Sequence, residues 1–147
     1  MFRRLFVAAA SMAALSLLLS TGAWTAHAAQ TTPDQDNPGG WQIPASAAQE
    51  ENPVSVSDTV LAKGKQIFAS KCAQCHGETG VGNGPDADPE HKPDDLTDPS
   101  RASRNPDGVM FYKVWNGRRV PKMPAFKEEL SKNDVWSVVH YIKTLRQ

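Results

Sequence analysis

The stretch "CAQCH", Cys72 to His76, gathers both cysteines of the chain and one of its four histidines. Three chemistries use such a cluster: a redox thiol pair, half of a zinc site, or the attachment point of a haem. A redox pair normally opens a helix that follows a strand. Here a helical pattern precedes the motif and no strand does. A plain disulfide across two intervening residues would close a very small loop and stabilise little. Zinc commonly takes four ligands from two pairs, and after the motif only the isolated His91 and His140 remain. Haem attachment uses all three residues. Two thiols at this spacing reach neighbouring vinyl groups, and the histidine that follows is aimed at the iron.

A sixth ligand has a candidate in Met123, within "RVPKMPAF". Its thioether is soft enough for haem iron, and Pro121 and Pro124 stiffen the loop that presents it. Met110 is the alternative, but it lies on the apolar face of a helical segment, where methionine ordinarily fills gaps. His91 sits among charges in "DPEHKPDD", and His140 has Lys and Arg neighbours on its helix, so both read as solvated. The loop "GETGVGNGP" lacks the Lys-Ser/Thr ending and the preceding strand of a phosphate cradle. No Ser/His/Asp or paired-carboxylate constellation stands out, and the acids of the linker and of the 86–98 loop read as solvated.

The elements that must position these residues read as helices joined by loops. "SDTVLAKGKQIFASK" places Val60, Leu61, Gly64, Ile67 and Phe68 at helical spacing behind a Ser57 cap and runs into Cys72. "NPDGVMFYKVWNG" opens with Asn105 as cap and Pro106 at the first helical position, and closes at Gly117. "LSKNDVWSVVHYIKTLRQ" begins with Ser131 and Asp134 spaced as a capping box. Its buried stripe is Val135, Val138, Val139, Ile142 and Leu145. Between the first two lies a Gly-, Pro- and Asp-rich segment, residues 77–104, too long for a casual connection. Something besides its own side chains must organise it.

Ahead of this domain, residues 57–147, the composition changes twice. Arg3 and Arg4 precede the apolar run Leu5 to Leu19, and "AHA" ends at Ala28, the pattern of an export signal over residues 1–28. An uncleaved membrane anchor is the competing expectation; either way the rest of the chain is expected outside the cytoplasm, in the periplasm. Residues 29–56 are polar and Pro-rich, the composition of a flexible linker, except that Trp41 and Ile43 are costly to leave in water and could lie as a strap on the domain. The chain has 16 basic and 16 acidic residues and no basic stripe of the kind that binds nucleic acid.

Taken together, "GKQIF", "CAQCHGETGVGNGP", "NG" before a methionine loop, "MPAF" and a last helix holding "VVHYIKTL" resemble a class I c-type cytochrome over about Leu61 to Leu145. The resemblance implies an all-α cytochrome c fold, with three or more helices wrapped around one covalently attached haem c and with the N- and C-terminal helices crossing. Cys72 and Cys75 would hold the haem, and His76 and Met123 would ligate iron. Gly64 matches the small residue at the crossing and Phe68 the aromatic beside it, with Val138 and Tyr141 as partners. Pro85 matches the proline whose carbonyl holds the axial histidine, although the leucine that usually follows soon after is not reached until Leu96. Phe68 and Trp115 are expected in the haem pocket. The implied function is single-electron transfer between a protein donor and acceptor, or within a larger periplasmic dehydrogenase or reductase tethered through residues 29–56. A haem sensor or peroxidase with an open sixth position is the rival.

Overall fold

Ser57 starts the first helix by accepting the Val60 amide on its hydroxyl at 3.2 Å, satisfying one of the donors a helix start leaves orphaned. In the computed structural model, which describes residues 31–33 and 40–146, this helix, α1, spans Asp58–Ile67 and passes through one π turn, Phe68–Cys72, into the short α2, Ala73–His76. The π turn was not expected. Its Ala73 amide reaches back to the Phe68 carbonyl, and the extra residue re-aims everything that follows it. The leader assigned to residues 1–28 lies outside the described residues. Among the described residues, no helix is long and apolar enough to cross a membrane.

Two further helices complete an all-α domain: α3, Asp107–Asn116, and α4, Lys132–Leu145. The cap of α3 differs from expectation. Pro106 holds the cap position without a side-chain bond. The Asn105 carboxamide is drawn elsewhere, donating to the Arg101 carbonyl at 3.1 Å and accepting from Lys113 Nζ at 2.8 Å.

Helices α1 and α4 cross where Gly64 meets the backbone of Ser137 and the Cβ of Tyr141. The Phe68 and Tyr141 rings stand 5.4 Å apart beside this crossing. Val135, Val138 and Val139 are fully buried, and Trp136, which the stripe expected from periodicity left out, is buried with them. Trp136 stacks on Phe111 at 4.2 Å, which joins α3 to α4.

The box that opens α4 is complete: the Ser131 hydroxyl accepts the Asp134 amide at 3.2 Å, and Asp134 accepts the Ser131 amide at 3.1 Å. Removing either side chain should cost about 1 kcal/mol of stability. Hydrogen bonds from Ser131, reinforced by Lys63, hold the Asp134 carboxyl below its ordinary 3.8. A depressed folded-state pKa contributes stability that is full above the ordinary value and lost as pH falls through the folded one. Urea unfolding of Asp134→Asn should therefore show its deficit near neutrality, and the deficit should shrink in acid below pH 3.8.

A two-stranded antiparallel ladder pairs β1, Thr31–Pro33, with β2, Gln42–Pro44, Thr32 opposite Ile43. No strand was expected here. A 3-10 turn, Ala45–Gln49, follows and lies so close to the start of α3 that a Cβ on Gly108 would collide with the Ala47 and Glu50 carbonyls. Trp41, Ile43 and Ala47 are buried in a second apolar cluster with Val109 of α3. Beyond it, Asn52 donates to the Trp136 carbonyl at 3.0 Å, and the His140 ring donates through Nε2 to the Val54 carbonyl at 2.7 Å. His140 is thus half-buried and fastens this segment to α4, and its expected solvation is corrected.

Candidate functional site

The carbonyls at the end of α2 explain the glycine-rich loop. A helix leaves its last carbonyls without partners, and here four loop amides take them. Gly77 donates to Ala73, Asp86 to Gln74, Gly84 to Cys75 and Gly82 to His76, at 2.8 to 3.1 Å. "GETGVGNGP" is a backbone cradle for the helix that carries "CAQCH". Its amides are spent on that helix end, which organises the loop.

Further along, the chain returns beneath His76. The imidazole donates through Nδ1 to the Asp94 carbonyl at 3.3 Å, which leaves Nε2 as the lone-pair nitrogen. Burial pushes this imidazole below its ordinary 6.5, against the opposing pull of the Asp94 carbonyl and carboxylate, so it is neutral at pH 7. Asp94 is itself tied by Arg101, whose Nη1 donates to Oδ1 at 2.6 Å. Pro85, expected to supply this carbonyl, is exposed and does not. The physical reason is loop length: the segment after Pro85 makes a detour through Asp88 and His91 before it comes back under the ring. The late arrival of a leucine, at Leu96, was the one sequence signal that this loop departs from the expected pattern.

His76 shares a cavity with Cys72, Cys75, Phe68 and Met123. Leu96, Met110, Val114, Phe126 and Ile142 supply much of its apolar wall. Counted out through its open, solvent-facing mouth, the space is about 1190 Å³. Met123 comes from the side opposite in sequence, in a hairpin closed by reciprocal backbone bonds with Arg118, both 2.8 Å. Met110 is buried on α3 and lines the wall, with the Arg146 guanidinium against its sulfur at 3.0 Å. His91 is exposed at the rim, its Nδ1 3.2 Å from Asp88 Oδ2. Trp115 is corrected: it is not among the cavity walls, and it stacks on the outer side of Phe111 at 5.6 Å.

Both thiols are free. Burial, with Cys75 beside it, pushes the Cys72 thiol up to about 12. Such a thiol holds its proton at neutral pH and is a poor thiolate nucleophile, which speaks against a disulfide oxidoreductase. The donor set therefore fits a haem: two adjacent thiols, a neutral imidazole with one nitrogen engaged by the backbone, a thioether on a separate loop, and an apolar space between them.

Comparison with known proteins agrees. Residues 61–146 match the family model described as cytochrome c. The chain is 36% identical over 89 residues to the cbb3-type cytochrome c oxidase subunit FixP of Azorhizobium caulinodans, covering 60% of this chain and 28% of that protein. It is 32% identical over 87 residues to cytochrome c6 of Cladophora glomerata, covering 59% of this chain and 90% of that one. Among solved structures, a chain of the Kuenenia stuttgartiensis reducing HAO-like protein complex superposes with a TM-score of 0.55 at 27% identity, over 67% of this chain and 50% of that one. The chain thus spans only part of the oxidase subunit and of the complex chain.

Proposed function

From a chain that belongs to the cytochrome c family and carries one covalently attached haem c, we propose an exported single-electron carrier in which Cys72 and Cys75 hold the haem and His76 and Met123 are its axial ligands. The observation that carries this reading is the meeting of His76 and Met123 on one apolar cavity, although they come from separate segments of the domain. When bound, haem supplies an iron that takes up and gives back one electron.

The protein's own residues do the rest. The Asp94 carbonyl fixes the His76 ring and makes its free nitrogen more basic. Phe68, Val114, Phe126 and Ile142 give the cavity an apolar wall. A methionine ligand in such surroundings favours the reduced, less charged state and so a higher potential. Two axial ligands leave no position for a substrate, which separates a carrier from a haem sensor or peroxidase.

The partners on this reading are a protein donor and acceptor, docking briefly at the open mouth. Lys92 and Lys122 stand exposed there, which suits an acidic partner face by charge complementarity. FixP is named as an oxidase subunit and the Kuenenia chain as part of a complex. Those names favour an oxidoreductase complex as the class of partner, and the export expected from residues 1–28 would put the encounter in the periplasm.

Met123→Ala tests the ligand assignment. The oxidised protein should lose the weak red absorption band of methionine-ligated haem, and its potential should fall by on the order of 0.1 V within the ~0.8 V that axial ligands command. A variant with an unchanged band and potential would defeat the assignment.

A further inference from the structure

Resting on the Met123 ligation proposed above, we infer that Trp41 is a positioning residue that clamps the Met123 loop over the cavity and sets how readily the sixth position exchanges. Trp41 precedes the family domain, which begins at residue 61.

The loop has little of its own to hold it. Arg119, Val120, Lys122, Pro124 and Ala125 are all exposed. Its anchor is Arg118, which makes the two backbone bonds to Met123 and donates through Nε to the Pro121 carbonyl at 3.0 Å. The guanidinium of that anchor lies over the Trp41 ring, 4.8 Å from the centroid, and Lys113 Nζ approaches the same ring at 5.5 Å. Trp41 is only 5% exposed. The Met123 side chain packs against the cluster that Trp41 forms with Ile43, Ala47 and Val109, and Trp41 also lines the cavity.

Met123 thus faces the cavity while its support on the other side comes from the N-terminal strap. The strap is itself seated on the domain by the close approach of the Ala45–Gln49 turn to Gly108 of α3. An aromatic plate with a cation on its face resists separation, the more so where water is excluded. An external ligand can enter only when the loop is open. Its apparent dissociation constant is therefore the intrinsic one divided by the open fraction, and any loosening of the clamp appears directly as tighter binding.

The experiment titrates the full-length ferric holoprotein with imidazole at pH 7, following the red band. Trp41→Ala should bind imidazole about tenfold more tightly, the size expected for losing a desolvated cation–π contact and its packing. Trp41→Phe keeps a ring face and should stay near wild type; Trp41→Leu keeps apolar bulk alone and should fall between. Ser131→Ala, which weakens the distant cap of α4, should leave imidazole affinity unchanged, showing that the effect is local. Unchanged affinity in Trp41→Ala, or in Trp41→Leu should the alanine variant not fold, overturns the clamp. A wild-type protein without the red band, or a Met123→Ala variant that keeps it, refutes the ligation and the clamp with it, and so marks that failure apart from failure of the clamp alone.

Discussion

The double variant Cys72→Ala, Cys75→Ala is expected to retain no haem and to be largely unfolded. The chain around the site is built on a cavity rather than a filled core. Leu96, Met110, Val114, Phe126 and Ile142 present apolar surface to a space of about 1190 Å³, and only a large apolar group completes their packing. At about 25 cal/mol per Å², a macrocycle burying even twice the ~200 Å² of an aromatic side chain contributes about 10 kcal/mol. That is the whole net stability of a typical domain, ~5–15 kcal/mol, and a domain this small has little in reserve. Covalent attachment keeps the group in place through every local opening, so its loss is felt in full. Far-UV circular dichroism should lose most of its helical signal and urea unfolding its cooperativity. Haem-free protein with native-like helicity and a cooperative transition would show that the helices hold themselves.

Which parts of this arrangement were legible beforehand follows from where each signal resides. "CAQCH", Met123 between its prolines, and the Ser57 and Ser131–Asp134 caps depend on side chains at fixed local spacing, and spacing is what a sequence displays. The Asp94 carbonyl is a backbone atom that any residue could supply, so the chain's return beneath His76 had to be seen in three dimensions. Local resemblance points to Pro85, but the long detour through residues 86–93 displaces the role to Asp94. Trp115 went astray for a related reason. An aromatic on an amphipathic helix can face a cavity or the back of a neighbouring ring, and Phe111 claimed it. His140 has a charged neighbourhood in sequence but a distant carbonyl, Val54, in space. Trp41 could be seen as too apolar for a linker, yet its partner cations lie some seventy residues away, on α3 and the methionine loop.

Gly64→Ala is expected to destabilise the protein by about 2 kcal/mol, and Gly64→Val by more, against the trend that helix propensity sets. On propensity alone alanine in place of a helical glycine gains about 1 kcal/mol, and Ala62→Gly on the exposed face of the same helix should lose that amount. At Gly64 the added Cβ would meet the Ser137 carbonyl oxygen, with the Ser137 carbonyl carbon at 2.8 Å and Tyr141 Cβ at 2.9 Å. Two of these three atoms are α4 backbone, which cannot swing aside as a flexible side chain does. The helices must separate, and overpacking of this kind costs about 1–3 kcal/mol or more. Separation also pulls Phe68 from Tyr141 and shifts the π turn that aims Cys72 and His76, so the crossing and the site are coupled. Guanidinium unfolding of the holoprotein would show it as a lower midpoint for Gly64→Ala than for wild type. A midpoint at or above wild type would mean that α1 and α4 tolerate a wider approach, and that the glycine is not what sets their crossing.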